Sequence, residues 1–351
     1  MSSWSDRIAV IRVRVLRLAM LAVTTVPALA QTPPPPAPGS QPNILRWPMP
    51  ETVSPQGRAL TTMMARAPVP DPLPPLVDQR RFADAVQASF GKTLSKRYAV
   101  EVRTSEIAGV PVRIVLPKGV SALGSGPLLL NLHGGGFTLD SGSLTETIPI
   151  AALTGIPVVA VLYRLAPEHA FPAAVDDALA VYTALRRDHP GRPIAVYGTS
   201  AGAGLSAQLV ARLIAQHQPL PQALGFFSGM ADFATPGDSE SWQPLPNASR
   251  TLAEGMAGYV GKTPANDPLL SPLHSALAKF PPTLLVSSTR DILLSGTAIF
   301  GRALEAKGVD TRLIVFDGLP HAFWAYMDIP ETREANECMA RFLKAHTTLH
   351  H

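Results

Sequence analysis

The chain has 351 residues, enough to bury a large core, and 46% hydrophobic with 6% aromatic content is a globular composition. Its formal charge of +4 is concentrated at the start, so it does not argue for a nucleic acid or an anionic lipid surface as partner. One cysteine, Cys338, excludes an internal disulfide framework, and in its helical pattern it reads as a small buried residue.

Arg7, Arg12, Arg14 and Arg17 precede the apolar run Leu18–Val26, which ends in Pro27-Ala28-Leu29-Ala30. That is the pattern of a signal peptide over residues 1–30, cleaved before Gln31, and the run is well short of the roughly 20 residues a membrane span needs. Cleavage would leave 26 basic against 25 acidic residues, an exported protein in periplasm or medium with no stable membrane span. Residues 31–42 (QTPPPPAPGSQP) read as an extended tether. Fifteen of the 36 prolines lie between Pro27 and Pro75, so residues 43–97 are expected to hold only short regular pieces, at Gln56–Ala67 and Asp78–Phe90, lying over another part of the molecule.

From Tyr98 the pattern changes to strands. Tyr98–Thr104 and Val110–Leu116 form a hairpin about Ala108-Gly109, followed by the apolar run Leu128–Leu132. Val158–Tyr163, Ile194–Tyr197, Leu224–Phe227, Leu284–Val286 and Leu313–Phe316 complete eight. Continuous apolar strands are covered on both faces, and helix-length segments at Ala173–Arg187, Ala201–Gln216, Gly296–Lys307 and Arg333–His346 supply the cover. This alternation predicts an α/β protein with a mostly parallel, doubly wound sheet, over residues 98–229 and 280–351, binding ligands beyond the carboxyl ends of its strands. Residues 230–279 contain no strong strand and are too many for an ordinary loop; we read them as an insertion that joins residues 43–97 in a helical cap.

The strand Ile194–Tyr197 ends in Gly198-Thr199-Ser200-Ala201-Gly202 and turns helical. A Gly-x-Ser-x-Gly turn between strand and helix exposes its central hydroxyl, which makes Ser200 a candidate nucleophile. Gly198, Gly202 and Gly204 also fit a dinucleotide-binding turn, but that turn follows a first strand and goes with a Tyr-x-x-x-Lys pair, neither of which is here. A serine needs a base, and the base an orienting acid. His321 follows the last strand, whereas the other histidines after Ser200 are terminal, in the insertion or on the helix of Ser200. Asp291 follows the preceding strand, and Asp317, four residues from His321, is its rival. Gly134-Gly135-Gly136 after the strand Leu128–Leu132 would expose backbone N–H groups that, with Ala201 N–H, could hold an oxyanion.

Taken together, HGGGF (133–137), YRLAPEHAFPAA (163–174), GTSAG (198–202), SPL (271–273), PPTLLVSSTRDIL (281–293) and GLPHAFW (318–324) resemble the hormone-sensitive lipase-like family of α/β-hydrolases, bacterial esterase family IV. The resemblance implies an α/β-hydrolase fold, Ser200, Asp291 and His321 as triad, and Gly134, Gly135, Gly136 and Ala201 as oxyanion hole. It implies a small-molecule ester as substrate, short- to medium-chain, with neither metal nor organic cofactor. Thr199 is similar to the GTSAG subgroup, whose members are often homodimers. Arg164 and Glu168 look like a structural brace. Leu162, Ser295 and Ala322 depart from the family's usual Asp, Asp and Gly. Lactone opening or deacetylation by the same triad, and a catalytically inactive binding protein on the same fold, remain as alternatives.

Overall fold

Apolar strands without alternation require a sheet buried on both sides, and the computed structural model has one. It describes residues 47–66, 73–241 and 255–348, all within the unit Pro42–His351. The strands are β1 Glu101–Ile107, β2 Val110–Leu116, β3 Leu128–Leu132, β4 Val158–Val161, β5 Ile194–Thr199, β6 Leu224–Phe227, β7 Thr283–Arg290 and β8 Thr311–Pro320. They form a single sheet in the order β1-β2-β4-β3-β5-β6-β7-β8. Strand β2 pairs antiparallel with β1 and β4, and every later pairing is parallel. Residues 1–46, which carry the expected signal peptide and tether, lie outside the described residues, as do 67–72 and 242–254.

Among the described residues, α-helices include α1 Pro55–Arg66, α2 Leu76–Tyr98, α3 Ile148–Thr154, α4 Ala173–Asp188, α5 Ala201–Ala215, α6 Leu294–Glu305 and α7 Pro330–Thr347. On one face, Leu129, Val158, Ala195, Tyr197, Leu284 and Val286 meet α3 and α7. On the other, Leu128, Leu130, Val159 and Val196 meet α4 and α5, while Leu285 meets Phe300 and Leu304 of α6. Helix α5 is central and almost wholly apolar, with all but Arg212 and Ala215 buried. None of the described helices is long and apolar enough to cross a membrane.

Several boundaries differ from the sequence expectation. Tyr98 ends α2 and does not begin β1; Ala99 follows in the left-handed region (φ 52°) and closes the helix on the Ser95 carbonyl. Helix α2 continues past Phe90 because Gly91 lets it lie against Leu144, where a Cβ would come within 2.6 Å of Leu144 Cδ1. Helix α3 had no signal: seven residues, five of them buried, show no 3.6-residue contrast. Most consequential, β7 and β8 extend to Arg290 and Pro320, which are paired in register after an irregularity at Ser288. Asp291 and His321 are therefore the next residues on two adjacent parallel strands.

Candidate active site

Ser200 stands between β5 and α5 at φ 59°, ψ −123°, a conformation L-residues rarely adopt. The flanking glycines make this turn feasible by close approach. A Cβ on Gly198 would lie 2.4 Å from the Gly202 and Leu132 carbonyl oxygens, and one on Gly202 only 1.8 Å from Leu132 O. The Ser200 N–H donates to Phe227 O at 2.9 Å, which ties the turn to β6.

His321 Nε2 lies 2.9 Å from Ser200 Oγ, and its Nδ1 lies 2.6 Å from Asp291 Oδ1. Asp291 is fully buried, whereas the imidazole keeps partial access to solvent. Burial alone would push the Asp291 carboxyl up. The charge and hydrogen bond of His321, with the hydroxyls of Ser228 and Ser287, outweigh it and hold the carboxyl below its ordinary value. Those hydroxyls donate to Oδ2 at 2.5 and 2.6 Å, and Leu293 N–H donates to Oδ1 at 2.8 Å. Asp317 is elsewhere engaged: it is exposed and accepts from Thr52 and Thr289 hydroxyls at 2.5 and 3.0 Å. Tyr326 Oη donates to the His321 carbonyl at 2.5 Å and steadies the loop.

The glycine loop after β3 is similarly braced. His133 stacks on Tyr163 with ring centroids 4.2 Å apart, and Tyr163 Oη donates to His133 O at 2.6 Å. Asp140 accepts from Gly142 and Ser143 N–H groups at 3.1 and 2.9 Å and pairs with Arg113 at 3.0 Å. One expectation is corrected here. The Gly134 N–H donates to buried Glu146 Oε1 at 3.0 Å, so it is not free to meet a substrate oxygen. Among the described residues, no protein acceptor takes the N–H of Gly135, Gly136 or Ala201.

Arg164 braces the segment after β4 through Asp177, at 2.8 Å. Glu168 pairs with Arg80 of α2 at 2.7 Å, and Arg80 also donates to Thr138 O and Ala166 O at 2.7 and 2.9 Å. These contacts place α2 beside the glycine loop. The insertion reaches the same loop: residues 255–260 are helical, and Tyr259 within them is buried against Phe137. Ser295, at a position the family pattern fills with an acid, exchanges hydrogen bonds with Ser239 at 3.0 and 2.8 Å. Ala322 occupies the left-handed region (φ 53°), which explains why glycine suits that position. A small cavity of about 10 Å³ adjoins Ser200, lined by Gly136, Ala201, Met230, Met256 and Leu293 among others. Among the described residues no three His, Cys, Asp or Glu side chains are grouped to hold a metal ion.

Ser228, Glu146 and Tyr259 escaped sequence reasoning because each acts through a contact with another segment of the chain; Ser287 and Tyr326 act only four and five residues from Asp291 and His321, but through side-chain directions that spacing alone does not reveal. The Tyr163–Arg164 segment carried a signal only as part of a longer motif.

Residues 129–325 match a family model described as the α/β-hydrolase fold. An acetyl-hydrolase of Streptomyces hygroscopicus is 35% identical over 239 residues, 63% of this chain and 77% of that protein. An ethyl acetate hydrolase of Pseudomonas putida is 31% identical over 249 residues, 67% of this chain and 77% of that protein. The crystal structure of an esterase, E25, superposes with a TM-score of 0.73 at 32% identity, covering 86% of this chain and 97% of that one. A crystal structure of an esterase from the bacterial hormone-sensitive lipase family gives 0.72 at 27% identity, covering 84% and 99%.

Proposed function

The chain belongs to the α/β-hydrolase fold family, in its bacterial hormone-sensitive lipase branch, and from that premise we propose a serine carboxylesterase acting on short- to medium-chain esters. The observation that carries the reading is the unbroken line from Ser200 through His321 to Asp291, at 2.9 and 2.6 Å.

In this mechanism His321 Nε2 takes the Ser200 hydroxyl proton as Oγ attacks the ester carbonyl. Asp291 holds Nδ1–H, so the ring presents Nε2 as acceptor and its charge is stabilised once formed. Negative charge on the carbonyl oxygen is met by N–H groups of Gly135, Gly136 and Ala201, preorganised where water would have to reorient. Collapse expels the alcohol, which takes the proton from His321. Water then attacks the acyl-enzyme by the same route and releases the acid.

The cavity next to Ser200, at about 10 Å³, lies far below the roughly 300–1,000 Å³ of drug-sized sites and favours a small acyl group. The relatives named for acetyl-hydrolase and ethyl acetate hydrolase activity support the same size class. Small acetyl esters of larger alcohols fall within this reading. Residues 43–97 and 230–279 serve as the cap, and export follows cleavage after Ala30; Gln31 as the first residue of the mature protein would support it, and an intact terminus would refute it.

Fluorophosphonate labelling tests the central claim. A single adduct on Ser200, lost together with ester hydrolysis in Ser200→Ala, is expected. A folded wild-type protein that takes no adduct and hydrolyses no ester would be a binding protein on a hydrolase fold.

A further inference from the structure

Glu146 has no step in the reaction above, yet it is only 4% exposed and sits under the glycine loop. Its Oε1 accepts the Gly134 N–H at 3.0 Å and its Oε2 accepts from Asn131 Nδ2 at 3.2 Å. Gly142 leaves the space for it: a Cβ there would lie 1.7 Å from Oε1. The Tyr197 hydroxyl donates to the Glu146 carbonyl at 3.2 Å and fixes the backbone from β5. The carboxyl is thus clamped to the peptide that leads into the oxyanion donors, one residue before Gly135.

The groups facing it offer no countercharge. Asp140 on the same loop is a like charge, already matched by Arg113 of β2 and close to His133, which follows β3. Tyr163 and Tyr197 are kept neutral by burial. Among the described residues, no Lys, Arg or His forms an ion pair with Glu146. Beside it, Asn131 Oδ1 is buried with no donor. Turning that amide over would set Oδ1 to receive a proton from Oε2, which is the arrangement a protonated acid makes.

Resting on the esterase reading, we propose that Glu146 is a positioning residue whose neutral form serves catalysis. Neutral, it holds Gly134 in place and leaves the hole's dipoles unopposed. Ionised, it sets a buried negative charge behind the same peptide segment, against the charge growing on the substrate oxygen. Burial, the largest influence, lifts the Glu146 carboxyl to about 8 despite the opposing hydrogen bonds from Gly134 and Asn131.

The test compares kcat/KM from pH 6 to 9.5 on p-nitrophenyl butyrate for wild type and Glu146→Gln. Wild type is expected to lose at least about 5-fold between pH 7.5 and 9.5, and E146Q to stay flat there, whatever its absolute rate. The same alkaline loss in folded E146Q, or none in wild type, would overturn the proposal. Infrared difference spectroscopy reads the group without turnover, in a Glu240→Gln background because burial also raises Glu240. A protonated-carboxyl band that fades between pH 7 and 9 supports the proposal even if E146Q fails to fold; titration complete below pH 6 refutes it. Fluorophosphonate labelling of the same samples reports separately on the esterase reading.

Discussion

The rings of Phe137 and Tyr259 lie face to face, with centroids 3.7 Å apart and planes 5° from parallel. Phe137 directly follows Gly134-Gly135-Gly136 and itself sits at φ 62°; Tyr259 belongs to the insertion. The stack therefore couples the geometry of the glycine loop to a segment more than a hundred residues away. Tyr259 Oη also donates to Gln208 Oε1 at 2.5 Å, which reaches into α5 behind Ser200. Removing the ring in Tyr259→Ala is expected to cost about 3–5 kcal/mol of stability and to lower kcat together with it. Tyr259→Phe keeps the stack but orphans a buried acceptor, for about 1–3 kcal/mol with kcat nearly retained. Urea unfolding and steady-state rates on both variants check this; equal losses of kcat in the two would show that the stack does not shape the site.

Asp291 tests the proposed orientation of the base. Asp291→Asn should lower kcat by about 10⁴-fold with little change in fold, because the imidazole then loses the partner that sets its tautomer. Ser228→Ala and Ser287→Ala each remove one donor from the buried carboxylate. The stability that comes with a lowered carboxyl is complete above its ordinary value of 3.8 and is lost as pH falls through the native one. Both serine variants should therefore be less stable than wild type near pH 7, by about 1.5–3 kcal/mol each, with the deficit narrowing in acid. Urea midpoints at pH 7 and below pH 3.8 measure it.

The glycine loop yields a paired comparison. At Gly135 a Cβ would lie 1.9 Å from Leu139 O, on a backbone at φ 123°. At Gly136 the neighbour is Thr138 Oγ1 at 3.8 Å, with φ 60°. Gly136→Ala should cost about 1–2 kcal/mol for the left-handed conformation alone. Gly135→Ala must displace the loop, and is expected to lower kcat/KM by at least about 100-fold through loss of a donor position. Comparable rates in the two alanine variants would place the oxyanion donors elsewhere.

Glu146 also predicts how stability varies with pH. Its native carboxyl, raised to about 8 from an ordinary 4.5, binds a proton that the unfolded chain has released. The stability from that difference is complete below pH 4.5 and is lost as pH rises through 8. Against E146Q, wild type should lose ground steadily from pH 5 to 8 and level off beyond. Thermal or urea midpoints across that range decide it, and a constant gap would mean that the carboxyl ionises as it does in water.

Acyl-chain preference follows from Met230, Met256 and Leu293 at the small cavity beside Ser200. On p-nitrophenyl esters, kcat/KM should be highest among acetyl to hexanoyl and fall by at least about 10-fold at decanoyl. Met256→Ala should shift the optimum to longer chains. A maximum beyond about ten carbons in wild type would contradict the size of the cavity.

Much of the site was legible before any fold was seen. Gly198-Thr199-Ser200-Ala201-Gly202 and the glycine triplet at 134–136 encode torsions and close approaches over a few residues. Local chain geometry is what such motifs carry. The alternation of buried strands and helices was legible for the same reason, as was the order Ser200, Asp291, His321. Short or uniformly buried pieces such as α3 were not, since periodicity needs a solvent face to contrast with.

By itself the sequence determined the sheet class, the nucleophile's turn and the base, because those follow from local sterics and from which residues end a strand. Motif resemblance pointed to Asp291 over Asp317, and tertiary structure supplied the reason, through the register that pairs Arg290 with Pro320. Tertiary structure alone turned Gly134 away from the hole and onto Glu146, and left that carboxyl without a countercharge. Partnership and burial are set by segments far apart in the chain, and an acid's charge depends on what surrounds it more than on its place in a motif.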